Sequence, residues 1–114
     1  MTASKMAKVF GWVFLLIGIL GFIPGITTGG HLLGIFEVDV MHNIVHLLTG
    51  IIALSMAKGS AKTFFKVFGV IYAVVAILGL IGASPVLGLI HVNGADNVLH
   101  ILIALIALYY GFAS

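Results

Sequence analysis

The 114-residue chain contains no cysteine and very little charge. Without thiols it can form no disulfide framework, no thiolate metal site and no cysteine nucleophile. Charged residues make up only 7% of the chain, against about 25% in an ordinary soluble domain. Its five basic residues are all lysines, and they form no basic stripe that would bind a nucleic acid. These deficits exclude a soluble globule, a disordered tail and a nucleic-acid-binding protein.

Apolar surface is what the chain has in abundance, because 62% of its residues are hydrophobic and its mean hydropathy is +1.34. A helix needs about 20 apolar residues to cross the hydrocarbon layer of a membrane. We predict four membrane spans, over residues 9–25, 41–57, 64–83 and 97–113. The predicted fold class is all-α, a polytopic four-helix bundle that forms one transmembrane domain in the lipid bilayer. The sequence leaves open whether this bundle forms a homo-oligomer or joins a larger membrane complex.

The few charges are segregated between the two ends of these spans. The lysines lie before the first span, between the second and third, or at the start of the third: Lys5, Lys8, Lys58, Lys62 and Lys66. The acids and histidines lie in or beside the other two loops: Glu37, Asp39, Asp96, His31, His42, His46, His91 and His100. Because cytoplasmic loops are enriched in lysine and arginine, both termini are predicted to be cytoplasmic in a multi-pass protein of the cell (inner) membrane. The first apolar segment is interpreted as a retained helix, since the third span repeats it.

The two halves of the chain resemble each other. Residues 8–11 (Lys-Val-Phe-Gly) are identical to residues 66–69, a shift of 58 residues. Two further matches have a shift of 54 residues: 34–39 with 88–93, and 42–46 with 96–100. We therefore predict two tandem two-helix repeats, over about residues 5–57 and 62–114. Because both repeats would cross the membrane in the same direction, a pseudo-two-fold axis along the membrane normal should relate them.

Helical periodicity places the polar residues of the second and fourth spans on single faces. The stripe on the second span contains His42, His46, Gly50, Ala53 and Ala57. The matching stripe on the fourth span contains Asp96, His100, Ala104, Ala107 and Gly111. Small residues at such spacing let membrane helices approach closely, so both stripes are expected to face the bundle interior.

Folding the repeats about their axis predicts a cluster of metal ligands at the exoplasmic end. The expected pairs are His46 with His100, His42 with Asp96, Glu37 with His91, Asn43 with Asn97, and Asp39 with Asn93. Residues four apart on a helix point the same way, so three imidazoles and a carboxylate should converge. We predict a site formed by His42, His46, Asp96 and His100, with Glu37 and His91 as additional ligands. Such a set, which lacks thiolate, suits Zn, Fe, Mn, Ni or Cu.

Two other interpretations of the cluster stay open at the level of sequence. In the first, the chain is a structural or accessory membrane subunit whose polar residues cap helices and lock the bundle. In the second, His46 and His100 are the axial ligands of a b-type haem, although no lysine or arginine lies nearby to bind propionates. No catalytic or nucleotide-binding motif is present, so the sequence indicates no reaction and does not favour an enzyme.

Two histidine motifs resemble those of a known family. They are Gly34-Ile-Phe-Glu-Val-Asp-Val-Met-His-Asn-Ile-Val-His-Leu-Leu-Thr-Gly50 and Asp96-Asn-Val-Leu-His100. Over nearly its whole length the chain resembles a widespread bacterial family of small four-span membrane proteins, described as a domain of unknown function. The family pattern often has proline where this chain has Glu37, and glycine where it has Ala104. The resemblance implies a fold and a topology, and it implies no activity.

Overall fold

The computed structural model describes residues 1–88 and 90–114, and this part of the chain contains four α-helices and one small sheet. The helices are α1 (Ala3–Leu20), α2 (Val40–Met56), α3 (Ala61–Leu80) and α4 (Gly94–Leu108), and α4 continues into a π-helical turn over Tyr109–Ala113. Helices α1 and α3, and α4 together with its π-helical turn, are long and apolar enough to cross a membrane. Helix α2 is as apolar but has only 17 residues. The chain is therefore a mostly helical protein with the character of a membrane protein.

Each helix begins before the apolar segment that was predicted from hydropathy. Helix α1 starts at Ala3 rather than at residue 9, because Thr2 caps it by accepting a hydrogen bond from the Lys5 N–H (3.2 Å). Helices α1 and α3 also end at Leu20 and Leu80, before the limits of 25 and 83 predicted for their spans. Hydropathy measures the apolar part of a helix, whereas its caps decide where the backbone hydrogen bonding begins.

The caps of α2 and α4 determine where the histidines lie. Asp39 Oδ1 accepts the N–H of His42 (2.8 Å), and Asn93 Oδ1 accepts the N–H of Asp96 (2.9 Å). Asp96 Oδ2 in turn accepts the N–H of Asn93 (2.9 Å), which completes a capping box. His42 and Asp96 thus occupy the first turns of their helices, and the two deeper histidines follow one turn later.

The helices pack as two hairpins, α1 against α2 and α3 against α4, through glycines. A Cβ atom added to Gly50 would lie 2.8 Å from the carbonyl oxygen of Gly11, so the two backbones are nearly in contact. In the second hairpin, a Cβ atom on Gly69 would lie 3.0 Å from Leu108 Cδ2. Small residues therefore permit close helix approach, as the sequence pattern indicates.

The interior of the bundle contains the two predicted stripes and a group of aromatic rings. Every residue of both stripes is buried. Next to them, Phe10 and Phe65 pack edge to face with ring centroids 5.1 Å apart, and Phe14 lies 5.5 Å from Tyr72. Large apolar side chains are exposed on the outer faces of all four helices, as expected for a surface in contact with lipid.

The loop between α1 and α2 forms a small antiparallel sheet at the histidine end. Its strands are β1 (Thr27–Thr28), β2 (His31–Leu32) and β3 (Phe36–Glu37), in the order β1-β2-β3. The loop between α3 and α4 is shorter, and its described residues contain one bridge, between Val86 and Ile90. Leu89, which belongs to the predicted match between residues 34–39 and 88–93, lies outside the described residues.

The contact between Gly11 and Gly50 gives a first prediction. The variant Gly50→Ala should unfold more easily than wild type by about 1–3 kcal/mol, because its methyl group would overpack a backbone contact that cannot yield. The control is Gly94→Ala, because a Cβ atom at Gly94 meets nothing within 4 Å. This variant should change the free energy of unfolding by about 0.5 kcal/mol or less. Denaturant unfolding in detergent measures both, and equal stability of the two variants would contradict the packing.

Candidate metal centre

Three histidines meet at one end of the bundle. His42 and His46 lie one turn apart on α2, and His100 reaches them from α4. One ring nitrogen of each lies within 4.8 Å of the others. The ring centroids of His42 and His46 are 4.4 Å apart, and those of His46 and His100 are 6.5 Å apart. The exposed fractions of these side chains are 0%, 3% and 1%, so the cluster is closed to bulk water.

The nitrogens of this cluster have almost no hydrogen-bond partners within the described residues. His42 Nε2, both ring nitrogens of His46, and His100 Nδ1 are buried and unpaired. Of the two remaining nitrogens, His42 Nδ1 lies 3.1 Å from the carbonyl oxygen of His91. A carbonyl can only accept, so this Nδ1 must carry the proton, and the lone pair of His42 is on Nε2. A metal-binding imidazole is commonly oriented by such a bond.

Asp39 holds the backbone segment that orients His42. Its Oδ2 accepts hydrogen bonds from the His91 ring Nδ1 (2.7 Å) and from the His91 backbone N–H (3.1 Å). Burial of the Asp39 carboxylate favours a higher pKa, but the hydrogen bonds from His42 and His91 outweigh burial and lower the pKa below its ordinary value. Asp39 therefore stays ionised at neutral pH and ties the two hairpins together.

The structure does not bring every predicted ligand into the cluster. Asp96, Glu37 and His91 do not belong to the group of three converging nitrogens. One oxygen of the Asp96 carboxylate is used in the capping box of α4, and Glu37 lies in β3 opposite His31. His91 lies against Asp39 rather than against Glu37.

Two other predicted pairs are also rearranged. Asn93 donates from Nδ2 to the carbonyl oxygen of Ile35 (2.9 Å) and does not pair with Asp39. Asn43 and Asn97 each pack against a glycine, Gly21 directly after α1 and Gly79 in α3, where any Cβ atom would collide with the amide, and both amide Oδ1 atoms are buried without a hydrogen-bond partner. Pairing by sequence register fails for Asn93 because the two outer loops differ in length and conformation.

Two hydroxyl groups that were not predicted from the sequence lie beside the histidines. Thr49 and Tyr72 are buried, and their oxygens are 3.0 Å apart. Tyr72 also packs against His100, with ring centroids 5.7 Å apart. Thr49 follows His46 by three residues on the same face of α2, and this spacing could have revealed it. Both residues line a cavity of about 60 Å³ that borders all three histidines.

The two functions assigned to Asp39 can be separated by mutation. Asp39→Ala should lower stability by about 1 kcal/mol or more, because it removes the cap of α2 as well as the bonds to His91. Asp39→Asn should lower stability less than Asp39→Ala does, because asparagine is an equally good helix cap, as Asn93 is for α4. Thermal melting in detergent at neutral pH gives both values. The same melting temperature in the two variants would contradict the capping function.

Comparison with known proteins gives a family and no activity. A family model described as a domain of unknown function (DUF4383) matches residues 5–113. No curated protein and no solved structure matches the chain. The model match covers nearly the whole chain and confirms the resemblance to a family of that description. The chain therefore belongs to the DUF4383 family.

Proposed function

We propose that this protein is an integral membrane protein that binds one transition-metal ion through His42, His46 and His100. The observation that carries the proposal is the convergence of three buried imidazoles, four of whose six ring nitrogens are buried without a hydrogen-bond partner. An unpaired buried polar group costs about 1–3 kcal/mol, and this cluster contains four such nitrogens. A metal ion would take up one lone pair from each ring and so offset part of that cost.

The donor set limits which metals fit. Neutral imidazole is a good ligand for Zn, Cu, Fe and Ni, whereas Mn prefers carboxylates. Because the Asp96 carboxylate serves as a helix cap, the three histidines alone suit the first group better. Three protein ligands leave a fourth position of a tetrahedral ion open, which is the arrangement of catalytic rather than structural zinc. Participation of Asp96, Glu37 or His91 stays a prediction.

The alternative of a purely structural clasp explains the cluster less well. A clasp stabilises a bundle through hydrogen bonds between side chains on different helices. Thr49 and Tyr72 form such a bond between α2 and α3, but no such bond joins the three histidines within the described residues. The clasp therefore accounts for the hydroxyl pair and for the bond of His42 to the His91 carbonyl, but it leaves His46 and His100 unexplained.

A haem held by His46 and His100 also fits poorly. The cavity beside the histidines has a volume of about 60 Å³, whereas pockets for organic ligands are typically about 300–1,000 Å³. The ring of His42 lies 4.4 Å from His46 and 5.8 Å from His100, in the space that a porphyrin between them would need. An ion fits this geometry and a macrocycle does not.

We further propose that the bundle arose by duplication, so that the two hairpins are related by the predicted axis. His46 packs against Phe14 at 5.6 Å between ring centroids, and His100 packs against Tyr72 at 5.7 Å. These pairs correspond under the shifts of 58 residues for the first helices and 54 for the second. The matching turn residues Leu33 and Leu87 have φ values of 55° and 53°. A duplication supports four spans, with α2 and α4 crossing in the same direction.

Elemental analysis of purified protein tests the metal proposal. Wild-type protein, purified without chelator and incubated with Zn²⁺, Cu²⁺ or anaerobic Fe²⁺, should retain one ion per chain and melt at a higher temperature. His46→Ala and His100→Ala should each abolish retention, because two imidazoles are too few to hold the ion. His31→Ala is the matched control, since His31 lies outside the cluster and bonds to the Gly29 carbonyl.

The outcomes separate the two candidate functions. If wild-type protein retains none of these ions and its melting temperature does not change on adding them, the metal proposal is wrong. A loss of stability in His46→Ala without any effect of metal on wild type would instead favour the clasp.

Thiol labelling tests the proposed orientation in the cell membrane. Because the chain has no cysteine, Thr28→Cys and Ser60→Cys each introduce a single thiol at an exposed loop position. In intact cells an impermeant maleimide should label Thr28→Cys, and it should label Ser60→Cys only after the membrane is opened. The opposite pattern would place both termini outside and contradict the orientation predicted from the lysines.

A further inference from the structure

The cavity of about 60 Å³ beside the three histidines has the properties of a ligand pocket. We propose that it holds a small uncharged molecule, of the size of dioxygen or nitric oxide, which reaches the metal from the lipid and binds at its open coordination position. This inference rests on the proposed metal site. It adds the class of ligand and the route by which that ligand enters.

The size of the cavity limits the ligand to a few atoms. One water molecule needs about 10–15 Å³ of such volume, so 60 Å³ admits a diatomic gas or a few waters. An organic substrate or a lipid headgroup would need several times more space. Because His42, His46 and His100 all border the cavity, a molecule inside it would lie within reach of an ion that these residues hold.

The mouth of the cavity opens between α2 and α3 on the side of the bundle that faces lipid. Ile71 is the most exposed lining residue, at 44%, and Phe68 and Val45 beside it are partly exposed. Toward the exoplasmic end, Val75 and Ile90 line the cavity and are buried, at 7% each. The open side therefore lies along the helices, where a molecule soluble in the hydrocarbon layer would enter.

Apart from the ion itself, the described lining of the cavity provides no group that would stabilise an anion. Among the described residues it contains no lysine, no arginine and no carboxylate. The Thr49 hydroxyl donates to the carbonyl oxygen of Val45 (2.8 Å), so the Tyr72 hydroxyl donates to Thr49. Both hydroxyl protons are thus already used, and neither is free to stabilise a negative charge. A neutral diatomic would replace the water at the fourth position of the ion, so one bond to the metal forms, one breaks, and no further reactant is required.

The other half of the bundle provides an internal comparison. Under the proposed duplication, Ile71 and Val75 correspond to Val13 and Ile17, which line a groove of about 500 Å³ between α1 and α4. Tyr72 corresponds to Phe14 in that groove, and Thr49 corresponds to Ile103. The described lining of the groove is apolar throughout and presents none of the three histidines. The polar groups are thus confined to the cavity between α2 and α3, and the apolar groove between α1 and α4 serves as a matched control.

Nitric oxide binding to the ferrous protein tests the inference. Protein loaded with Fe²⁺ without oxygen should give the electron paramagnetic resonance signal of a ferrous nitrosyl complex when nitric oxide is added. Ile71→Trp and Val75→Phe, which fill the cavity from its mouth and from its inner wall, should retain iron and lose this signal. The controls Val13→Trp and Ile17→Phe enlarge the equivalent residues of the groove and should keep both iron and signal. Azide, as an anion of similar size, should not compete with nitric oxide.

Each outcome bears on one proposal. Retained iron without a nitrosyl signal in wild type would overturn the ligand pocket and leave the metal site intact. A full nitrosyl signal in both cavity-filling variants would overturn the proposed route of entry. Displacement of nitric oxide by azide would overturn the proposal that the ligand is uncharged. Failure of the wild-type protein to bind iron, together with failure to bind zinc and copper, would instead remove the metal site itself.

Discussion

The structure depends on three imidazoles buried inside an apolar bundle, because four of their ring nitrogens have no hydrogen-bond partner in the described chain. Lipid offers no hydrogen bonds to a buried polar group, so the protein must supply a partner or bind one. Elsewhere it supplies partners: Asp39 and Asn93 cap their helices, and Thr49 bonds to Tyr72. Among the described residues, the amide Oδ1 atoms of Asn43 and Asn97 are each buried without a partner, but only at the histidine cluster do several such atoms lie together. A cation shared by the three rings would compensate for them.

The rest of the fold positions that cluster. The caps of α2 and α4 fix where the histidines enter the bundle, and the glycine contacts of each hairpin bring the helix backbones close together. Under the proposed duplication both hairpins would have the same arrangement, in which an aromatic ring of the first helix packs against a histidine of the second helix. The two hairpins differ at residues beside the proposed metal site, because His42 corresponds to Asp96 and Tyr72 to Phe14. The cavity between α2 and α3 therefore has histidine nitrogens and hydroxyl groups, while the groove between α1 and α4 is apolar.

Periodicity and hydropathy could predict the helices, the buried stripes and the meeting of His46 with His100, because these features follow from spacing along a helix. They could not predict how the outer loops fold. The alignment of the two halves pairs Glu37 with His91, whereas in the structure His91 lies against Asp39. The reason is that the α1–α2 loop forms a three-stranded sheet, while the described residues of the α3–α4 loop form a bridge between Val86 and Ile90. Tyr72 was overlooked because its contact with Thr49 joins different hairpins, and such contacts leave no local pattern.

X-ray absorption spectroscopy of the zinc-loaded protein in detergent tests the central claim most directly, since it reports the atoms around the ion and needs no enzymatic assay. The arrangement of His42, His46 and His100 predicts three imidazole nitrogens at about 2.0–2.1 Å, with one further light atom in the open position. A first shell made of oxygen atoms, with no scattering from imidazole rings, would contradict the assignment of this cluster as the metal centre.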